Sequence, residues 1–294
     1  MIEFRRIGLT GKPDDPRVRD VLQALWPVLT AASAQVWIDT TLASLAATLK
    51  GVAPQTATLT NAAAQTDLLI VIGGDGSFLS CARAVHGTRT ALFGVNLGRL
   101  GFLVDVPPES AAADLEHVLA GRGRIESRAL IEARIERDGV EIFTGHALND
   151  AALHVAGVVR VLEFDLTVDG LDVARMRADG IVFSTPTGST AYALSAGGPI
   201  VTPHLDALVV VPICPHGLSH RPLVLNGDCA IECRLSPGSR SSAQLALDGR
   251  DNIDFGGQDR LTLGRSQARV QFVHPPNHHF LQTLRRKLRW AEHP

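Results

Sequence analysis

The sequence predicts two unlike parts in one chain, an α/β part followed by an all-β part. Three observations carry this. Short apolar runs alternate with helical periodicity in the first third; after Gly121-Arg122-Gly123 the apolar period changes to two; and twice beyond that point an Asp-Gly pair separates alternating runs. We place an α/β domain at residues 1–123, a β-rich domain at 124–275 and a terminal segment at 276–294.

Ile7-Gly8-Leu9 reads as the first strand. Val18, Val21, Leu22, Leu25, Val28 and Leu29 then recur at three- and four-residue spacing, as one face of an amphipathic helix requires. Val36-Trp37-Ile38, a helix around Leu42 to Leu49, a strand from Leu68 to Ile72, a helix after Ser77 and a strand from Ala91 to Val95 continue the alternation. Such an order calls for a mostly parallel sheet with helices on its faces. From Ala129 onward Leu130, Glu132, Arg134 and Glu136 alternate with Ile131, Ala133 and Ile135, and Asp138-Gly139 supplies the positive φ angles of a tight hairpin. Asp169-Gly170 repeats the device between Phe164 to Val168 and Leu171 to Ala174. Further strands are expected at Leu223 to Leu225, Ile231 to Leu235, Gln244 to Leu247 and Arg269 to Val273, with one helix near Ser189 to Ala196. The segment Phe280 to Trp290 reads as a basic helix through Arg285, Arg286, Lys287 and Arg289, a pattern that usually marks a solvated face.

Composition narrows the function. Lys and Arg number 28 against 30 Asp and Glu in 294 residues, a net charge of −2 that lacks the basic excess of a dedicated nucleic-acid binder. The four cysteines, Cys81, Cys214, Cys229 and Cys233, show no Cys-x-x-Cys spacing and read as buried thiols in a reducing cytoplasm. The first residues, Met1 to Arg6, hold no apolar export segment, and the apolar runs Leu68 to Ile72 and Ala207 to Cys214 fall far short of the roughly 18 residues of a membrane span. Neither a membrane nor a nucleic acid is expected as partner.

Chemistry concentrates in a few loops. Leu68 to Ile72 runs into Gly73-Gly74-Asp75-Gly76-Ser77 and then a helix, so backbone N–H groups without an obstructing Cβ can meet a phosphate at a helix N-terminus. A carboxylate repels phosphate unless a metal or a proton transfer gives it a role, which marks Asp75 as a candidate catalytic group. A local cap remains the plainer reading. Gly8-Leu9-Thr10-Gly11-Lys12-Pro13 only superficially suggests a Walker loop, since the spacing fails and Pro13 replaces the hydroxyl residue. Asn96-Leu97-Gly98-Arg99-Leu100-Gly101-Phe102 is a second glycine-rich turn, a nucleotide loop or a plain turn. Five hydroxyls between Ser184 and Thr190, broken by Pro186 and Gly188, form a rigid loop suited to ribose and phosphate oxygens, or a polar turn with a helix cap. Tyr192, the single tyrosine, follows it, and Asn149-Asp150 is expected to end a strand.

Gly73-Gly74-Asp75-Gly76, Asn96 through Leu103, Asn149-Asp150 and Asp179-Gly180 through Tyr192, in this order and spacing, resemble the NAD kinase family, as do Pro215-His216 and Arg221-Pro222-Leu223. Arg250 stands after Asp248-Gly249 where glutamine is common in that family. The resemblance implies an N-terminal Rossmann-like α/β domain, a C-terminal β-rich, sandwich-like domain, a site in the cleft between them, and a C-terminal helix returning to pack on the first domain. It also implies phosphorylation of the 2′-hydroxyl of the adenosine ribose of NAD by ATP, with magnesium or another divalent metal, in a cytoplasmic homodimer or homotetramer. By the same resemblance Asp75 is the proton acceptor. Dinucleotide binding falls to Asp75, Gly76, Asn149, Asp150, Arg160, Arg177 and Asp179, and to Thr190, Ala191, Tyr192, Ala193, Leu194 and Ser195. Magnesium is expected to arrive on ATP, so no metal-ligating residues are assigned to the chain. The runners-up are a sugar or lipid kinase sharing the Gly-Gly-Asp-Gly loop and a non-catalytic NAD sensor. A nicotinamide-dependent oxidoreductase is disfavoured, since no Gly-x-Gly-x-x-Gly follows the first strand.

Overall fold

The computed structural model describes residues 4–51, 53–98, 101–156, 161–237 and 242–290. The chain forms two compact units, Met1–Ser127 with Val270–Pro294 and Arg128–Arg269. Both dividing points fall inside long strands, a few residues from the expected boundaries at 123/124 and 275/276.

Parallel strands build the first unit. β1 (Arg6–Gly11), β2 (Gln35–Asp39), β3 (Gln55–Ala57), β4 (Leu68–Gly73) and β5 (Ala91–Asn96) stand in the order β3-β2-β1-β4-β5. The helices are α1 (Arg17–Ala31), α2 (Ala43–Ala46), α3 (Leu59–Gln65), α4 (Asp75–Ala84) and α5 (Ala111–His117). Every residue of β4 and β5 is buried, as central parallel strands covered on both faces require. On α1 the spacing read from sequence is the packed face: Val18, Val21, Leu22, Leu25 and Leu29 join Ile7, Leu9, Ile70 and Phe93 in one apolar cluster.

Three expectations for this unit need correction. The helix around Leu42 to Leu49 is only the single turn α2 after a 3₁₀ turn at Thr40–Leu42, whose start the Asp39 carboxylate caps through the Thr41 N–H. Strand β3 and helix α3 went unread because Gln-Thr-Ala and an alanine-rich turn carry no large periodic side chains. Helix α4 begins at Asp75, not after Ser77, which puts the carboxylate in its first turn.

The second unit is a two-sheet β sandwich. β6 (Arg124–Arg137) and β7 (Val140–Ala147) pair as a hairpin, followed by β8 (Asp150–Val155), β9 (Leu162–Val168), β10 (Leu171–Ala178) and β11 (Gly180–Ser184). After α6 (Tyr192–Ser195) come β12 (Ala207–Ile213), β13 (Leu223–Asn226), β14 (Ile231–Leu235), β15 (Ala243–Leu247), β16 (Arg250–Phe255) and β17 (Asp259–His274). One antiparallel sheet runs β13-β12-β11-β8-β15-β16; in the other β10, β9, β14 and β17 are successive neighbours. Strand alternation divides the residues between two faces. Leu153, Ile181, Phe183 and Leu245 of the first sheet share one buried cluster with Phe164, Leu166, Cys233 and Leu261 of the second. Ala152 and Val182, one residue out of step, pack on the other face with Ala193 of α6, Val209 and Val211.

Asp138 and Gly139 adopt φ of 50° and 80°, and Asp169 and Gly170 φ of 50° and 79°, so both Asp-Gly hairpins form as read. Strand β17 is far longer than Arg269 to Val273, because Gly264, Arg265 and Ser266 interrupt its alternation in the sequence. Its final residues pair parallel with β5, Gln271 with Ala91 and Phe272 with Leu92, and α7 (Phe280–Lys287) follows them in the first unit. No helix among the described residues is long and apolar enough to cross a membrane. Cys81, Cys229 and Cys233 are buried, whereas Cys214 is exposed.

Candidate active site

In the first unit the site is the turn from β4 into α4. Gly74 caps the helix in an extended conformation, and a Cβ at Gly74 or Gly76 would meet nothing within 4 Å. Space is therefore open over a helix start, where first-turn N–H groups have no intrahelical acceptor. Asp75 does not hang free in that space. Its Oδ2 accepts the Phe102 N–H at 2.9 Å, and Oδ1 accepts those of Leu103 and Val104 at 3.3 and 3.2 Å. The second glycine-rich turn thus serves as the seat of Asp75. A carboxylate has about four acceptor sites, so three backbone bonds leave room for one more donor.

In the second unit a cavity of about 640 Å³ is lined by Asn149, Asp150, Asp179, Ala191, Tyr192, Asp248 and their neighbours. Asn149 and Asp150 do not end a strand as expected. Asn149 precedes β8 and Asp150 begins it, because the Asp248 carboxylate gathers the N–H groups of Leu148, Asn149 and Asp150 at 3.0, 2.7 and 3.3 Å. Asp248 sits with Gly249 in the β15–β16 turn, at φ of 51° and 70°. The sequence reading assigned Asp248 no role; its Asp-Gly pair after an alternating run was the available signal.

The hydroxyl-rich loop also differs from expectation. Ser184, Thr185 and Ser189 are fully or almost fully buried, and their hydroxyls donate to the carbonyls of Asn149, Leu148 and Pro186 at 3.1, 2.6 and 2.7 Å. A Cβ on Gly188 would stand 2.0 Å from the Asn149 carbonyl oxygen, so only glycine lets the loop close on that segment. These hydroxyls fix Asn149 in place and do not face a ligand. Polar side chains that fold inward are satisfied by nearby backbone, as burial demands.

Of the residues singled out from sequence, Asn149, Asp150, Asp179, Ala191 and Tyr192 line the cavity. Ala193 packs inward against Val182 and Val209, and the Thr190 hydroxyl donates to the Thr187 carbonyl at 3.3 Å. Leu194 and Ser195 complete α6 outside the cavity lining. Arg177 lies on exposed β10 with its Nε 3.0 Å from Glu163 Oε1. Gly76 is exposed in the first turn of α4, and Arg160 lies outside the described residues.

Electrostatics single out Asp150. Burial, and then the nearby Asp248 carboxylate, push its carboxyl up to about 7 against the opposing hydrogen bond from the Tyr192 backbone. Near neutral pH Asp150 therefore exists partly as an acid able to donate a hydrogen bond. Beside it the Asn149 Oδ1 is buried with no hydrogen-bond partner. An acceptor left unpaired at the wall of a cavity is costly, and a ligand donor that reached it would relieve that cost.

An anion-receptive helix start bearing a carboxylate, on an α/β unit, joined in one chain to a sandwich whose cavity is lined by Asn149, Asp150 and Asp179, is equipment that suits a phosphotransferase acting on an alcohol. Comparison with known proteins narrows the class. The ATP-NAD kinase N-terminal domain family matches residues 7–123 and the ATP-NAD kinase C-terminal domain family residues 148–275. The chain is 39% identical to a NAD kinase of Methylococcus capsulatus over 289 residues, covering 98% of each. It is 41% identical to one of Nitrosococcus oceani, covering 98% of this chain and 97% of that one. The chain belongs to the NAD kinase family. Among solved structures, yeast NADH kinase complexed with NADH is similar with a TM-score of 0.90 and 26% identity, covering 100% of this chain and 90% of that one. A NAD kinase from Archaeoglobus fulgidus in complex with ATP is similar with a TM-score of 0.74 and 25% identity, covering 97% and 98%.

Proposed function

We infer that the protein is a NAD kinase, transferring the terminal phosphoryl group of ATP to the 2′-hydroxyl of the adenosine ribose of NAD to give NADP and ADP. The observation that carries the reading is the cavity lined by Asn149, whose buried Oδ1 has no hydrogen-bond partner, and by the partly protonated Asp150. One acceptor and one donor side by side suit the hydroxyl and amide groups of a dinucleotide. Asp179, Ala191 and Tyr192 extend the same wall.

For the chemistry, we assign to Asp75 the acceptance of the 2′-hydroxyl proton as the oxygen attacks phosphorus; the acceptor site left beside its three backbone hydrogen bonds supports this role, since a single hydroxyl needs no more. The open space over Gly74 and Gly76 fits phosphate oxygens against the first-turn N–H groups of α4. Magnesium or another divalent metal, carried on the ATP phosphates, supplies charge neutralisation in phosphoryl transfer. Gly76, Arg160, Arg177, Thr190, Ala193, Leu194 and Ser195 remain proposed dinucleotide contacts by family resemblance. Leu194 and Ser195 would reach the ligand from the end of α6, whereas Ala193 contributes through the backbone it anchors. A homodimer or homotetramer working in the cytoplasm, apart from membranes and nucleic acids, completes the reading.

The test is direct. Incubated with Mg-ATP and NAD, the protein should form NADP, detected with an NADP-specific dehydrogenase. Turnover with a sugar phosphate or a lipid alcohol and none with NAD would overturn the reading, as would NAD binding without ATP consumption.

A further inference from the structure

A second cluster of ligating side chains lies in the first unit. His274 is the last residue of β17, His278 follows after Pro275-Pro276, and Asp105 lies on the segment that leaves the seat of Asp75. The two imidazoles stack with centroids 3.7 Å apart and planes 10° from parallel. Asp105 Oδ1 is 3.8 Å from His274 Nδ1, and Oδ2 contacts His278 Nδ1. Taking one ligating atom from each residue, all three fall within 4.8 Å of one another. Both histidine side chains are 6% exposed and that of Asp105 11%.

A hydrogen-bonded network alone leaves this arrangement incomplete. If each neutral imidazole donates from Nδ1 to Asp105, each keeps a bare Nε2, and both Nε2 atoms are buried with no hydrogen-bond partner. Buried unpaired acceptors are costly, and two on stacked rings are unusual. A cation relieves the conflict for His274. With Nδ1 of both rings on a metal, each Nε2 becomes a donor, and Glu126 Oε2 stands 3.8 Å from His274 Nε2 as its outer carboxylate partner.

We propose that Asp105, His274 and His278 form a structural site for a zinc-class divalent cation. Two imidazole nitrogens and one carboxylate suit zinc, whereas magnesium and calcium prefer oxygen ligands throughout. Ligands on a tetrahedral zinc stand about 3.4 Å apart, so the trio, whose ligating atoms lie within 4.8 Å of one another, must contract by up to about 1.4 Å. The site fixes the terminal segment to the stretch beside Asp75. Lys287 of α7 lies over the Phe102 ring at 4.3 Å, and the Phe102 N–H holds Asp75, so the cation would pin the start of a segment whose helix already touches that seat. The site is separate from magnesium on ATP, and its test needs no turnover.

The untagged full chain is stripped with a chelator, and zinc is titrated against a chromophoric competitor in excess magnesium, without nucleotide. One equivalent should bind with a dissociation constant below about 1 μM. His278→Ala, in a connecting segment, should weaken binding at least about 100-fold, the upper end of what losing a mere outer-sphere partner costs. Cobalt in place of zinc should give the visible absorption of a four-coordinate site, absent in the variant. No bound zinc in the wild-type chain, or equal affinity in His278→Ala, overturns the proposal. Should His278→Ala fail to fold, the cobalt spectrum of the wild-type chain decides: four-coordinate bands support the site and their absence rejects it.

Discussion

Gly101 is a glycine because of Asp75: a Cβ at position 101 would lie 1.9 Å from Asp75 Oδ1 and 2.5 Å from its Cγ. Neither backbone nor carboxylate has an alternative place while the N–H groups of residues 102–104 hold both oxygens. With Asp75 as the base, Gly101→Ala should displace the carboxylate and lower kcat by about 10²-fold, the usual cost of a misplacement near 1 Å. The KM for NAD should change little. Gly98→Ala is the control, because its Cβ would meet only Asn96 Oδ1 at 3.6 Å. Steady-state kinetics of the two variants check this; equal activities would remove the seat from the mechanism.

Asp150 gives a pH dependence of definite sign. Its folded carboxyl lies near 7 while the unfolded group titrates near its ordinary 3.8, so the folded state retains a proton that the unfolded chain has lost between those values. Stability from this group is therefore intact below about pH 4, falls as pH rises toward 7, and is constant above. A difference of about 3 units sets an upper limit of about 4 kcal/mol. Asp150→Asn should abolish the slope, raising stability at pH 8 relative to wild type more than at pH 5. Urea unfolding of both proteins at the two pH values measures it.

Asn149 separates binding from folding. Because its Oδ1 has no partner in the free protein, Asn149→Ala removes no internal hydrogen bond of that atom and should leave the melting temperature nearly unchanged. NAD affinity should fall by about 1–3 kcal/mol if that oxygen meets a ligand donor, while ATP affinity is spared. Calorimetric titration with each nucleotide is the check, and equal losses for both would point to collapse of the 148–150 turn.

These residues also show where the sequence could be read and where it could not. The Gly73–Ser77 loop was legible because strand, glycines and helix are contiguous and each acts on its neighbours. Asp248 was not, since the N–H groups it gathers lie about a hundred positions upstream and nothing local marks them. The Ser184–Thr190 hydroxyls were counted correctly, but their direction is a packing property; Ser189 bonds Val201 from the far side of the loop. Asp105 and His274 are distant in sequence, joined only when β17 pairs with β5. The parallel order, the Asp-Gly hairpins and the return of the C-terminal segment follow from periodicity, turn chemistry and, for the return, resemblance.

Asp75→Asn tests the base most severely, and the seat changes what it should show. Asparagine can keep one oxygen toward Leu103 and Val104, but its NH₂ then faces the Phe102 N–H, donor against donor, where Asp75 Oδ2 had accepted at 2.9 Å. The variant should lose about 1–3 kcal/mol of stability from that unpaired contact. It should also lose about 10²–10⁴ in kcat from the missing base, with NAD affinity within a few-fold. Gly101→Ala distinguishes the two losses, because it moves the carboxylate without removing it. If Asp75→Asn instead keeps near wild-type kcat at saturating substrates, the proton leaves to another acceptor, and Asp75 acts only by holding the 102–104 loop against the start of α4.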